Sequence, residues 1–295
     1  MFTIIIDGGL GRTICSIPAL ETFITNNPET YVISYWPAVY NCNKIIQPRS
    51  YDPDSKGLFD LVKNTKIIKP EPYYEKVYNY QKSHIISSFN HILNDNNELT
   101  IPKIILSHNE YLTSSQKFDR SKKTIVFQPF GSTASFGDDV FDTSVRSLNK
   151  DNTLQIVDRL RRENVNIMLM EHRHVPFIDY GKIVNVGNLH YREWFGLIAC
   201  CDYFIGVDSS GQHIARSFNV PGTVFIGGTC ASNITYEDFF RVVYKEGEKQ
   251  YMPYRFCERD YREAETANWD LIHFSKQEID LVCDEILNDI FKGSK

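Results

Sequence analysis

The chain has 295 residues, 42% hydrophobic and 23% charged, an ordinary balance for a globular protein with room for two α/β domains. Its net charge of -5 argues against general binding of polyanions and leaves a local basic groove open. No basic stretch followed by a long apolar run opens the sequence, and no run of about 18 apolar residues occurs, so neither a signal peptide nor a membrane span is expected.

Cysteine usage points the same way. Cys15, Cys42, Cys200, Cys201, Cys230, Cys257 and Cys283 are scattered, odd in number and without a CxxC pair. They read as free thiols of a cytoplasmic protein and not as a zinc site.

In chain order, Phe2–Ile6 is a short β-rich run that meets Asp7-Gly8-Gly9-Leu10-Gly11. Ile14, Ile17, Leu20 and Ile24 then fall on one helical stripe, Asn26-Asn27-Pro28 stops it, and Tyr31–Tyr35 reads as the next strand. The stretch from Pro37 to Glu110 is rich in Asn, Tyr and Lys, with helices expected near Tyr74–Tyr80 and Ser83–Leu93. A polar join near Ser114–Lys123 precedes a second β-loop-α-β series. It comprises strand 123–128, Pro129-Phe130-Gly131-Ser132, helix Asp151–Arg162, strand Asn166–Met170, a helix ending at Cys200, and strand Tyr203–Val207. Asp208-Ser209-Ser210-Gly211, a helix carrying His213, and strand Gly222–Ile226 complete it. Alternating strands and helices predict parallel sheets in two Rossmann-like halves facing a cleft. The expected domains are residues 1–118, 119–274, and a C-terminal helix 275–295 that could cross between them. Ser275 and Glu278 form a capping-box pair at its start, with Phe274 and Ile279 at the staple positions.

Two strand ends carry candidate chemistry. Gly9 and Gly11 lie between a strand and a helix, where glycines admit close backbone approach and free N–H groups favour an anion. At the second end, the backbone N–H groups of Ser209, Ser210 and Gly211 are placed to hold a diphosphate. Asp208 is placed to accept hydrogen bonds from sugar hydroxyls, and His213 to assist a phosphate from one turn into the helix.

Residues 208–229 resemble glycosyltransferase family 9, the heptosyltransferase-like group. Its Asp-(Ser/Thr)-Gly-x-x-His-(Leu/Ile)-Ala run, Val-Pro and Gly-x-Thr match Asp208, Ser209, His213, Ala215, Val220-Pro221, Gly227 and Thr229. Gly211 stands one place later than the family glycine. The family's N-terminal Gly-x-Gly-Asp…Pro-x-Leu run has a counterpart in Gly9-Leu10-Gly11-Arg12…Pro18-Ala19-Leu20. The resemblance implies a GT-B fold and an inverting, metal-independent transfer with a nucleotide-diphosphate sugar as co-substrate and no further cofactor. It also implies that Gly131 and Ser132 belong to the diphosphate cradle, that Arg146 neutralises the leaving nucleotide, and that Glu171 binds the nucleoside ribose.

Arg12 occupies the family position of the catalytic Asp. Arginine stays protonated and cannot take a proton, so Asp7 is the expected base, ahead of Asp95, His84, His91 and Glu110. Arg12 itself reads as an anion site for an acceptor phosphate. Two acceptors follow: a cell-surface saccharide, or 5-hydroxymethylcytosine in phage DNA, the second placing the protein in a host cytoplasm. The first 120 residues hold 12 Lys and Arg against 12 Asp and Glu, with Lys63, Lys66, Lys69, Lys76 and Lys82 among them, which is compatible with a DNA-facing surface. A nucleotide-sugar-binding module without activity is the alternative from another class.

Overall fold

A computed structural model describes residues 1–80, 82–181, 183–245 and 269–292. The chain divides into two compact units, Met1–Asn109 and Glu110–Lys295.

Unit 1 contains β1 (Phe2–Ile6), α1 (Leu10–Cys15), α2 (Ile17–Asn26), β2 (Thr30–Ser34), β3 (Ser50–Tyr51), α3 (Leu58–Val62), β4 (Lys66–Ile68), α4 (Lys76–Asn79) and α5 (Ile85–Asn94). Its strands are parallel in the order β3-β2-β1-β4. The single helical stripe expected after β1 is broken into α1 and α2 at Ser16. Pro18 has no N–H to return to Ile14, so the first turn cannot run unbroken into the second. Buried Leu20, Phe23 and Ile24 of α2 and Ile86 and Phe89 of α5 belong to the core of this unit, where α2 packs on α5.

α6 (His108–Ser115) straddles the division. Unit 2 continues with β5 (Thr124–Gln128), β6 (Ser135–Phe136), β7 (Val140–Phe141), α7 (Lys150–Arg161), β8 (Asn166–Leu169), β9 (Val184–Asn185), α8 (Tyr191–Cys200) and β10 (Tyr203–Val207). It ends with α9 (Ser210–Ser217), β11 (Gly222–Phe225), α10 (Ala231–Ile234), β12 (Arg241–Val243) and α11 (Lys276–Lys292). Six strands run parallel in the order β12-β11-β10-β5-β8-β9. β5 and β10 are buried along their whole length, as parallel strands covered on both faces must be.

The division falls earlier than the expected join at 118/119. Arg192 of α8 donates from Nε and Nη2 to the two carboxylate oxygens of Glu110, at 2.8 and 2.7 Å. A Cβ on Gly196 would lie 1.9 Å from Ser114 Oγ, so only glycine lets α6 approach α8 this closely. These contacts tie α6 from Glu110 onwards to unit 2.

The terminal helix also belongs to unit 2. The capping box forms reciprocally, Ser275 N–H to Glu278 Oε2 at 2.6 Å and Glu278 N–H to Ser275 Oγ at 3.3 Å. Asn152 of α7 exchanges two hydrogen bonds with the Phe274 backbone. Ile279, Val282, Cys283, Ile286 and Ile290 are buried in the core of the unit, and α11 packs on α7. Among the described residues no helix is long and apolar enough to cross a membrane.

Cys15, Cys42, Cys200, Cys201, Cys230 and Cys283 are in no disulfide among the described residues, and Cys257 lies outside them. Burial pushes the Cys201 and Cys283 thiols up to about 12, so both stay protonated packing groups.

Ile286→Ala is expected to lower the unfolding free energy by about 2–5 kcal/mol through an unfilled cavity. Leu281→Ala, on the exposed face of the same helix, should change it by no more than about 0.5 kcal/mol. Urea denaturation of both variants measures the difference.

Candidate functional site

Each of the two parallel sheets has one place where strand order reverses. In unit 2 the chain moves from β5 outward to β8 and β9, then returns to build β10, β11 and β12 on the other side. The carboxyl ends of β5 and β10 therefore flank a topological switch point, where open α/β sheets bind ligands. Gln128, the last residue of β5, crosses it. Its Nε2 donates to Ser209 Oγ at 3.1 Å, and its Oε1 accepts the Gly211 N–H at 2.9 Å. The Gly211 N–H expected to hold a diphosphate is thus already bonded to Gln128, leaving Ser209 and Ser210 at the helix start. A Cβ on Gly211 would meet Gln128 Oε1 at 2.3 Å, which is why glycine stands there.

Asp208 follows β10 and His213 lies within α9. Both are buried. Asp208 Oδ1 accepts from Gln212 Nε2 at 3.2 Å, and His213 Nδ1 shares a hydrogen bond of 2.9 Å with Tyr236 Oη. Thr229, past the end of β11, has a buried Oγ1 with no hydrogen-bond partner, a position a ligand atom can satisfy.

A second segment closes over this edge. The buried Asp142 carboxylate collects hydrogen bonds from Thr133 Oγ1 and Ser144 Oγ, both at 2.5 Å, Ser144 N–H at 2.9 Å, and Ser147 Oγ at 2.5 Å. Ser147 Oγ in turn accepts the Gly131 N–H at 2.8 Å, so that N–H, expected in the diphosphate cradle, is taken as well. Ser132 remains exposed. Burial pushes the Asp142 carboxyl up. The Arg146 charge and the hydroxyls of Ser144, Ser147 and Thr133 together outweigh it, and hold the carboxyl below its ordinary range.

Val145 is buried at φ +50°, a left-handed conformation that is costly for a β-branched residue. Its carbonyl accepts the Gly228 N–H at 2.8 Å, while Leu148 N–H reaches Pro129 O at 2.9 Å. The segment thereby bridges the ends of β11 and β5, the two strands that flank β10. A Cβ on Gly227 would lie 2.1 Å from the Val145 carbonyl, so glycine is required at that approach. Arg146 projects from this bridge. Its Nε donates to Ser144 Oγ at 2.8 Å, it is half-buried, and it makes no ion pair among the described residues.

Glu171 is 3% exposed, and its carboxylate is gripped by Arg173 Nε at 2.8 Å and Nη2 at 2.7 Å. Arg173 then donates to the carbonyls of Gly131, Ser132 and Ala134 and lies over Phe136 at 4.9 Å. Glu171 orients the arginine that fastens the 131–134 loop.

In unit 1 the order reverses between β1 and β4, and Asp7 follows β1. Asp7 Oδ1 lies 3.1 Å from Arg12 Nη2, and Oδ2 lies 2.6 Å from Lys69 Nζ. Arg12 is 9% exposed; it pairs with Glu71 at 2.9 Å and donates to Pro70 O at 2.8 Å. Tyr73 and Phe89 rings lie 5.6 and 6.0 Å from its guanidinium carbon. The expectation that Arg12 offers an anion site is corrected: two carboxylates already neutralise it, and the phosphate contact that favoured DNA goes with it. Gly8, at φ +84°, takes the strained turn. Gly9 is the N-cap of α1, and Gly11 lies inside that helix.

The other base candidates have structural tasks. His84 and Asp95 cap the two ends of α5, His91 lies 3.7 Å from Glu75, and Glu110 holds Arg192. Sequence reasoning missed Asp142, Arg173, Glu71 and Gln128. The crowding of Ser and Thr around Asp142 in 132–147 was the one signal available.

No protein-family model matches the chain, and no curated protein sequence matches it. Solved structures do. The chain matches the bacterial iron-containing dodecameric glycosyltransferase TibC of enterotoxigenic E. coli over 97% of its length and 76% of that chain, with TM-score 0.66 and 13% identity. It matches E. coli ADP-heptose LPS heptosyltransferase II over 100% and 99%, with TM-score 0.63 and 11% identity. It matches a glycosyltransferase family 9 protein of Veillonella parvula over 98% and 97%, with TM-score 0.66 and 12% identity. The fold is therefore that of the GT-B heptosyltransferases, built from two Rossmann-like units with parallel sheets. TibC contains iron; among the described residues of this chain no group of three or more His, Cys, Asp or Glu is placed to hold a metal ion.

Because the folded Asp142 carboxyl is depressed, its stabilising contribution is present above the unfolded value, about 3.9, and is lost as pH falls through the lower folded value. The gap in urea midpoint between wild type and Asp142→Asn is expected to be widest near neutral pH and to close below about pH 4. A gap independent of pH would show that the ionised form contributes nothing.

Proposed function

We propose that the chain is a glycosyltransferase. Unit 2 holds a nucleotide-diphosphate sugar, and unit 1 presents the base for an acceptor hydroxyl. The observation that carries this is Arg146, a half-buried guanidinium with no ion-pair partner among the described residues, fixed beside a switch point. A buried-edge cation left open in this way favours a ligand anion, and the negative charge that builds on a departing diphosphate is such an anion. Ser209 and Ser210 N–H groups and Thr229 Oγ1 supply neutral donors to the same ligand. The heptosyltransferase neighbour is named for ADP-heptose, which makes nucleoside-diphosphate heptoses the first donors to try.

In the reaction, the acceptor oxygen forms a bond to the anomeric carbon as that carbon's bond to the diphosphate oxygen breaks. The electron pair leaves with the nucleoside diphosphate, and the hydroxyl proton passes to Asp7. This is an inverting displacement with no covalent sugar–enzyme intermediate. A second reading, a nucleotide-sugar-binding module without turnover, is favoured by one observation: both Asp7 oxygens are held by cations.

Arg146→Ala is expected to weaken ADP binding about 10- to 100-fold by titration calorimetry, the loss of one charge-assisted contact, with partial recovery in Arg146→Lys. Asp7→Asn should lose turnover and keep donor affinity; unchanged turnover removes Asp7 as the base. Binding of nucleotide sugars without release of nucleoside diphosphate, for any acceptor in mass-spectrometric assays, favours the module.

A further inference from the structure

The switch point of unit 1 differs electrostatically from that of unit 2. Asp7, Arg12, Lys69 and Glu71 bring two negative and two positive groups together in mutual ion pairs. The hydrogen-bonding capacity of the set is nevertheless not exhausted. Arg12 Nε has no acceptor, and Asp7 Oδ1 and Glu71 Oε1 have no hydrogen-bond donor, although all three atoms are buried. Such atoms call for a ligand or an ordered water. A phosphate only accepts hydrogen bonds, so of these three atoms it can meet Arg12 Nε alone, against two carboxylates that repel it. A hydroxyl donates and accepts, so it suits both kinds of open position.

Aromatic surface borders the same loops. Trp36, just past the end of β2, donates from Nε1 to Gly8 O at 2.9 Å, which places the indole against the glycine turn. Tyr35 beside it is 63% exposed. A Cβ on Gly9 would meet nothing within 4 Å, so the space above the turn is open. Aromatic faces combine an apolar body with a polar edge, and the C–H faces of a sugar ring pack on them.

We propose that this switch point is a subsite for an uncharged saccharide, bound through its hydroxyls to Asp7, Glu71 and Arg12 and stacked on Trp36. The proposal rests on the reading of unit 1 as the acceptor side, and it names the acceptor class: a neutral sugar ring in place of a phosphate-bearing one.

Ligand-observed saturation-transfer NMR on the full chain tests it, with methyl α-glucoside, α-galactoside and α-mannoside and the 6-phosphate of each. At least one neutral glycoside is expected to bind, and its 6-phosphate to bind no more than about threefold tighter, since no unpaired cation awaits the added charge. Trp36→Ala should weaken that glycoside by about tenfold or more, and Trp36→Tyr should keep it within about threefold. Silence from every neutral glycoside, a larger gain from phosphate, or full binding in Trp36→Ala would overturn the proposal. The phosphate comparison uses wild type and so does not depend on the variants folding. ADP affinity, measured on the same samples, separates the two readings: wild type that binds a neutral glycoside but not ADP contradicts the donor site alone.

Discussion

Asp142 is the group on which the unit 2 site depends. One buried carboxylate gathers three hydroxyls and a backbone N–H from residues 133, 144 and 147. Through Ser147 it also anchors Gly131. That convergence offsets the cost of burying the charge and of holding Val145 in a left-handed conformation, of order 1–3 kcal/mol. The result is a short bridge from the end of β5 to the end of β11 with Arg146 fixed upon it. A guanidinium on an unconstrained loop would lose side-chain and backbone freedom on meeting an anion; here that ordering has already occurred during folding.

The two switch points share a plan and differ in charge. In unit 2 the buried acids are held within the unit, Asp142 by hydroxyls and the nearby charge of Arg146, Glu171 by Arg173 and Asp208 by Gln212, and Arg146 makes no ion pair among the described residues. In unit 1 every cation of the cluster faces a carboxylate. On the proposed readings, the same topology serves an anionic ligand on one unit and a neutral, hydroxyl-rich one on the other. This difference moves Arg12 from the role of phosphate hook to that of a packed tie between β1 and the segment after β4.

Much of the fold was legible in the sequence because it is encoded locally. Buried parallel strands such as Thr124–Gln128 and Tyr203–Val207 are continuous apolar runs, and the capping box at Ser275 is four residues long. The edge strands β3, β4, β9 and β12, of two or three residues each, carry too few positions to show a period. At the site, the sequence located the strand ends, whereas the partners of the side chains there come from far along the chain. His213 read as a phosphate contact, and the structure adds its bond to Tyr236, while Arg12 read as an anion site because Pro70 and Glu71 are far along the chain. Residue type and spacing reveal which groups are present at an edge. Which of them are already spent on one another is decided by long-range contacts that no local pattern records.

The most direct measurement is a crystal structure of the chain with a bound nucleoside diphosphate. The diphosphate is expected beside Arg146 and the Ser209–Ser210 backbone, with Gln128 still joining β5 to α9. A diphosphate seated on the Gly8–Gly9 turn, or bound with Arg146 uninvolved, would contradict it.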